Sequence, residues 1–269
     1  MSDALLERLE TWFNPITGSL TAFSGGVDSA LVLYLSHRFL GDKGVGIIAD
    51  SPSLKRADLD TAKAFSEQFS IPLRIIQTDE LDKPEYRSNP INRCYYCKDT
   101  LYTMMRELHQ NEYPGFSLLN GANRDDLGDY RPGHQAAKEQ EILSPLADCG
   151  LGKDDIRSLA KQFGLPVWNK PASPCLSSRI PYGQDVSKEK LSQIEAAEIA
   201  LNHFGFPEVR VRHFGDLARI ESPVSTLDRL QAIFPMIESA LIKIGYKTVE
   251  IDTEGLVSGK LNRAIKSNG

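Results

Sequence analysis

Six consecutive residues, Ser24-Gly25-Gly26-Val27-Asp28-Ser29, follow directly on the apolar run Leu20-Thr21-Ala22-Phe23. A buried strand that runs into two glycines and then a helix is a device for binding an anion. The glycines let the backbone curl without Cβ clashes, so that successive N–H groups converge on one point. A helix expected over residues 28–40 aims its positive end at the same point, and Ser24 and Ser29 add hydroxyl donors. Together these parts make a pyrophosphate cradle rather than an ordinary strand–helix turn. The loop lacks the Gly-Lys-Ser/Thr element of a Walker loop and the Gly-x-Gly-x-x-Gly of a dinucleotide fingerprint.

A second chemical cluster is acidic. Asn123, Asp125, Asp126 and Asp129 follow a strand expected to end near residue 119. Carboxylates beside a triphosphate hold Mg²⁺, which takes hard oxygen ligands and keeps several waters; the bland alternative is a solvated loop with helix-capping aspartates. Asp126, and Asp28 inside the glycine loop, are the candidate Mg²⁺ ligands, and Arg131 is placed to contact phosphate or an acidic substrate. The third cluster is thiol-based. Cys94-x-x-Cys97 opens an expected helix, and Cys175 lies on a Pro- and Ser-rich loop. Three thiolates on a [4Fe–4S] cluster leave one iron open for an exogenous sulfide. Three thiolates and a water also suit zinc, a Cys-x-x-Cys at a helix start suits a redox dithiol, and unrelated buried cysteines complete the alternatives. Cys149 matches none of these patterns and reads as structural. Arg210 and Arg212 alternate with Val209 and Val211, which puts both guanidiniums on one face of a strand, either bound to an anion or merely solvated. Lys98 and Lys170 read as solvated surface lysines.

Positioning these groups requires a parallel sheet. Strands are expected at 20–23, 45–49, 73–77 and 116–119, alternating with helices at 28–40, 54–69 and 95–108; this is the βαβ pattern of an α/β sheet covered on both faces. Ligands on such sheets lie beyond the strand C-termini, so Ser24, Asp50 and Asn120-Gly121 should meet at one crevice. After the loop at 168–183 the pattern changes to a helix at 188–204, strands at 208–213 and 217–221, a helix at 227–244 and a strand at 248–251, with a polar tail from 258. Two domains are therefore expected, 1–180 and a smaller α+β domain at 181–269. The chain is 269 residues long with a net charge of −5. With no basic run, an extended nucleic-acid interface is not expected. No apolar stretch is long enough to span a membrane, and the N-terminus reads as an amphipathic helix rather than a signal peptide. Without a secretion signal, the four cysteines favour metal or thiol chemistry over disulfides.

The glycine loop resembles the PP-loop of the ATP pyrophosphatase superfamily, whose members adenylate a substrate oxygen and release pyrophosphate. Three further segments, Asn92-Arg93-Cys94-Tyr95-Tyr96-Cys97-Lys98, Gly121-Ala122-Asn123-Arg124-Asp125-Asp126-Leu127-Gly128-Asp129-Tyr130-Arg131-Pro132-Gly133 and Pro174-Cys175-Leu176-Ser177-Ser178-Arg179-Ile180-Pro181-Tyr182-Gly183, resemble the LarE family, over residues 15–260 or so. LarE proteins are ATP-dependent sulfur transferases that make the nickel-pincer nucleotide cofactor. The resemblance implies a PP-loop fold and ATP held by Ser24, Gly25, Gly26, Val27, Asp28, Ser29, Asp50, Gly121, Asn123, Asp125, Asp126 and Arg131. It implies catalytic roles for Asp28, Cys175 and Arg179. It also implies that Arg210 and Arg212 bind the phosphate of a nucleotide substrate, with Glu198 and Glu221 at matching acidic positions. One LarE subgroup sacrifices a protein cysteine, leaving dehydroalanine; another carries three cysteines and an iron–sulfur cluster. Here Pro174 stands where the sacrificial cysteine would be, which favours the second subgroup. A [4Fe–4S] cluster on Cys94, Cys97 and Cys175, a sulfide donor, and a cytoplasmic homo-oligomer follow from the resemblance alone. A PP-loop tRNA thiolase and a non-catalytic nucleotide-binding metal regulator are the rival readings.

Overall fold

The computed structural model describes residues 2–126, 132–257 and 259–263. In chain order, its first part comprises α1 (Ser2–Phe13), β1 (Ser19–Ala22), α2 (Val27–Leu40), β2 (Gly44–Asp50), α3 (Arg56–Phe69), β3 (Leu73–Gln77), α4 (Pro84–Arg87), α5 (Arg93–Asn111), β4 (Ser117–Leu119), α6 (Pro132–Glu139), α7 (Pro145–Asp148) and α8 (Lys153–Gln162). There follow α9 (Lys188–His203), β5 (Arg210–Phe214), β6 (Leu217–Glu221), α10 (Leu227–Ala232), α11 (Phe234–Ile244) and β7 (Thr248–Ile251). The chain divides into two compact units. One comprises Met1–Glu80 and Asn92–Ser173, the other Leu81–Ile91 and Pro174–Gly269. This division differs from the expected 1–180 and 181–269. The short segment at 81–91 joins the second unit because its polar groups are satisfied there. Asn89 donates to the carbonyls of Ile180 and Pro181, Tyr86 and Ser177 share a buried hydroxyl contact, and the Gly183 amide donates to the Asn89 carbonyl.

The first unit is an α/β layer structure. Its sheet has the order β3-β2-β1-β4 with every pair parallel, as expected. Side-chain alternation along the strands feeds two cores. Leu20, Ala22, Val45, Ile47 and Leu118 pack with α5 and α6 on one face. Phe23, Ile48 and Leu119 pack with α2, α3 and α8 on the other. Just past β4 the chain runs directly over the first turn of α2. A Cβ on Gly121 would lie 2.6 Å from the Ser29 amide nitrogen and 3.0 Å from the Asp28 carbonyl carbon. These are backbone atoms that cannot swing aside, so only glycine allows this approach.

The second unit pairs β5 antiparallel to β6 and β6 parallel to β7, under α9, α10 and α11. The single helix expected at 227–244 is broken in two. Pro235 in the first turn of α11 lacks an amide hydrogen, and Ile233 leaves helical geometry at φ −110° and ψ 15°. No helix among the described residues is long and apolar enough to cross a membrane.

Replacing Gly121 by alanine must therefore move one backbone segment against the other. Gly121→Ala is expected to lower stability by about 1–3 kcal/mol, as overpacking does, with a matching loss of nucleotide affinity. Urea denaturation and ATP titration check this, and an unchanged midpoint would show that the contact is slack.

Candidate active site

The first unit carries the cradle. β1 delivers the chain through Phe23 into an exposed Ser24 and a buried Gly25 at φ +72°, a conformation L side chains rarely adopt. Gly26 starts α2 with no side-chain cap, so the first-turn amides of α2 keep no side-chain acceptor at the helix cap. Buried Val27 anchors that turn in the core. The Ser29 hydroxyl accepts from the Ser24 amide (3.1 Å), contacts the Ser24 hydroxyl (3.1 Å) and donates to the Gly26 carbonyl (3.1 Å). The loop thus holds its curl by internal bonds.

Two lysines from distant sequence complete it. Lys170 donates to the Gly25 carbonyl (3.1 Å) and pairs with Asp58 (2.9 Å), while Ser173 donates to the other Asp58 oxygen (2.8 Å). Lys170 is therefore a built-in brace of the loop rather than the solvated lysine expected. Lys153, which no sequence pattern marked, places Nζ 2.5 Å from Asp28 Oδ2. Asn123 Nδ2 donates to Asp28 Oδ1 at 3.4 Å, and the Asn123 amide donates to Asp126 at 3.2 Å. Asp28, Asn123 and Asp126 are thus brought together, and two carboxylates beside a phosphate cradle fit the oxygen chemistry of Mg²⁺. Asp125 faces elsewhere. It accepts from the Lys153 amide (2.8 Å) at the start of α8, and this bond, then the Arg124 charge, holds its carboxyl below the usual range despite some desolvation. Asp50 is turned along the sheet. Burial raises its pKa, but hydrogen bonds from Arg56 and from its cross-strand neighbour Gln77 (2.9 Å) outweigh that and lower it. Gly121 serves the packing already described. Arg131 and Asp129 lie outside the described residues.

The second unit holds the arginines. Arg179, 1% exposed, makes a two-pronged pair with Glu198 (2.7 and 3.1 Å) and donates to the carbonyls of Pro174 (2.9 Å) and Cys175 (3.3 Å). It fixes the backbone that carries Cys175, so its guanidinium is committed to positioning rather than to substrate, which differs from the expected catalytic role. Glu198 also accepts from the Val211 amide (3.1 Å), tying α9 to β5. Arg212 pairs with buried Glu221 (2.7 Å) and donates to the Ser178 carbonyl (2.6 Å), leaving its buried Nε without a partner. The Arg210 side chain, on the same face, makes no hydrogen bond or ion pair among the described residues. Burial, then the neighbouring charges of Arg179 and Arg212, lower its pKa. A half-buried guanidinium without a side-chain partner, beside two others, has the chemistry to take an anion.

Cys94 and Cys97 lie three residues apart at the start of α5, exposed and half-buried respectively; Cys175 is half-buried in the second unit. Among the described residues no three His, Cys, Asp or Glu side chains are gathered for a metal ion. The cluster expected on Cys94, Cys97 and Cys175 is thus not assembled within either unit, because the chain distributes the three thiols over both. The donor set itself, three cysteines with accessible or half-accessible side chains, suits thiolate ligation. Cys149 is the exception. It is buried, donates weakly to the Arg8 carbonyl (3.7 Å), and has its pKa raised by desolvation, as a structural cysteine does.

Comparison with known proteins places this geometry. Residues 8–88, which contain the cradle, match the NAD synthase family model. The chain is 41% identical to an uncharacterized protein of Synechocystis sp., over 98% of this chain and 99% of that one. It is 34% identical to the pyridinium-3,5-bisthiocarboxylic acid mononucleotide synthase of Lactiplantibacillus plantarum, over 91% of this chain and 88% of that protein. More distantly it resembles a glutamine-hydrolyzing GMP synthase of Geobacillus kaustophilus, 27% identical over 68% of this chain and 39% of that protein. The fold is that of the PP-loop enzymes, and the chain belongs to the LarE family.

Proposed function

We propose that the protein is an ATP-dependent sulfur transferase acting on pyridinium-3,5-biscarboxylic acid mononucleotide. The observation that carries this reading is the uncapped start of α2 behind the Ser24–Ser29 loop, in a chain 34% identical to a synthase of the corresponding thiocarboxylate. A carboxylate is a poor acyl donor, so a substrate carboxylate oxygen first attacks the α-phosphorus of ATP and pyrophosphate leaves. Sulfide then adds to the acyl carbon and AMP leaves, giving the thiocarboxylate. The loop amides and hydroxyls receive the charge that develops on the departing pyrophosphate. Asp28 and Asp126 are the residues to hold Mg²⁺, which when bound adds its own charge to that stabilisation. Arg210 takes the substrate phosphate, with the Arg212 Nε beside it. Arg179 and Glu198 hold the Cys175 backbone in place. Cys94, Cys97 and Cys175 are the ligands for a [4Fe–4S] cluster, which when bound supplies the transferable sulfide. A sulfide donor and a homo-oligomeric state belong to the same reading.

The two strand arginines should separate. Arg210→Ala is expected to weaken binding of the pyridinium mononucleotide roughly ten- to a hundredfold, the loss of one or two charge-assisted bonds, with stability unchanged. Arg212→Ala leaves buried Glu221 only the more distant Lys260 ammonium (3.8 Å), and should also cost about 3 kcal/mol of stability. Calorimetric titration and urea denaturation check both, and normal substrate binding by Arg210→Ala would leave the strand face without a role.

The cysteines divide in the same way. Each of Cys94→Ala, Cys97→Ala and Cys175→Ala should lose bound iron and sulfur transfer together, and Cys149→Ala should lose neither. The mass of the wild-type polypeptide should be the same before and after turnover. Dehydroalanine at position 175 in an iron-free protein would replace the cluster by a sacrificial route.

A further inference from the structure

Val211, Ala218, Ile220 and Val249 turn one face of the second sheet into its core, and the charged residues between them share the other face. There they stand in register. Arg210 on β5 lies directly opposite Glu221 on β6. Ile251 pairs with Ile220, so Asp252, just past β7, continues the ladder beside Glu221. Two acids are thus neighbours with side chains only 2% and 12% exposed, an arrangement that repulsion disfavours. The answering charge comes from beyond the sheet. Lys260, in the turn Lys260–Asn262, places Nζ 2.5 Å from Asp252, 3.2 Å from Glu254 and 3.8 Å from Glu221 Oε1, and donates to the Gly255 carbonyl (3.4 Å). Burial lowers its pKa, but hydrogen bonds to Asp252 and Glu254 outweigh that and raise it. The segment that carries Lys260 is tied down on either side. The Leu256 amide donates to the Ser222 carbonyl (2.9 Å), and Arg263 pairs with Glu254 (2.7 Å).

Glu221 is consequently engaged on both oxygens. Oε2 takes Arg212 (2.7 Å), and Oε1 faces Lys260. Arg210 stands directly opposite Glu221, yet its side chain has no ion-pair partner among the described residues. We propose that Lys260 is a positioning residue of the substrate-phosphate site: by answering Glu221 and Asp252, it keeps Arg210 out of an ion pair with Glu221 and open to an anion. Without Lys260 the two acids carry a surplus negative charge, and Arg210, opposite Glu221 and lacking a partner, is the cation that turns to them. A phosphate must then displace a carboxylate before it binds. Buried acids beside an anion site need a counter-charge of this kind. The inference rests on Arg210 as the ligand of the substrate phosphate, part of the reading above, and not on sulfur chemistry.

Calorimetry on the full chain tests it, with the pyridinium mononucleotide and the riboside lacking its phosphate as probes. The ratio of the two affinities, at fixed ionic strength, reads the phosphate contact alone. Lys260→Met should lose about tenfold of that ratio. Its affinity for Mg–ATP should not change, because the glycine loop belongs to the other unit. Lys260→Met combined with Asp252→Asn should return the ratio to within about twofold of wild type, because the surplus charge is gone although no cation has been put back. A lysine that merely pinned the C-terminal segment would not be rescued by removal of its own partner. A double variant as weak as Lys260→Met therefore overturns the proposal, and so does a wild-type ratio in Lys260→Met when Arg210→Ala has lost it. A wild-type ratio in Arg210→Ala removes the phosphate reading on which the proposal stands.

Discussion

An α-helix that starts without a capping side chain carries a partial positive charge and first-turn amides that need an acceptor. In this protein that situation is created at the start of α2, and the first unit is arranged around it. β1 is buried between β2 and β4 and delivers the loop rigidly. Gly25 turns the chain at a positive φ that a side chain would resist. Gly121 lets the segment after β4 touch the first turn of α2, which brings Asn123 and Asp126 to Asp28. Lys170 and Lys153 then brace the two ends of the loop from outside. First-turn amides behind a glycine loop, with no capping side chain, suit an anionic ligand such as phosphate.

The second unit uses charge differently. Arg179–Glu198 and Arg212–Glu221 are almost wholly buried pairs. Buried pairs of this kind break even at best against their desolvation, so their worth lies in geometry rather than in net stability. Each has a specific task. One holds the carbonyls of Pro174 and Cys175, the other the carbonyl of Ser178. With those two guanidiniums committed, Arg210 is the one of the three whose side chain has no hydrogen-bond or ion-pair partner among the described residues, and burial, then the neighbouring charges of Arg179 and Arg212, lower its pKa.

Much of this was legible in the sequence because it is local. The strand–loop–helix string, the alternation of strands and helices, and the period-two arginines all declare themselves within a few residues. What was not legible depends on long-range approach. Lys153 meets Asp28 across 125 positions, and Lys170 meets Gly25 across 145. No spacing rule links a lysine at a helix start to a carboxylate so far away, and each reads alone as a surface charge. Asp125 reads as a nucleotide-binding residue because it sits in an acidic run, and only the fold shows that its carboxylate accepts from the first amide of α8. Arg179 resembled a catalytic arginine because it follows Cys175 closely, whereas its burial against Glu198 makes it a strut. The segment at 81–91 carries no compositional break, so nothing marked its transfer to the second unit.

Adenylation of a carboxylate is the claim on which the account turns, and it leaves an isotopic signature. The substrate is prepared with ¹⁸O in its carboxylates and turned over with unlabelled ATP and a sulfide source. When the carboxylate oxygen attacks the α-phosphorus, that oxygen departs with AMP as sulfur takes its place. Mass spectrometry of the nucleotide product should therefore find AMP carrying one ¹⁸O for each thiocarboxylate formed. Unlabelled AMP, or ADP in its place, would contradict the account.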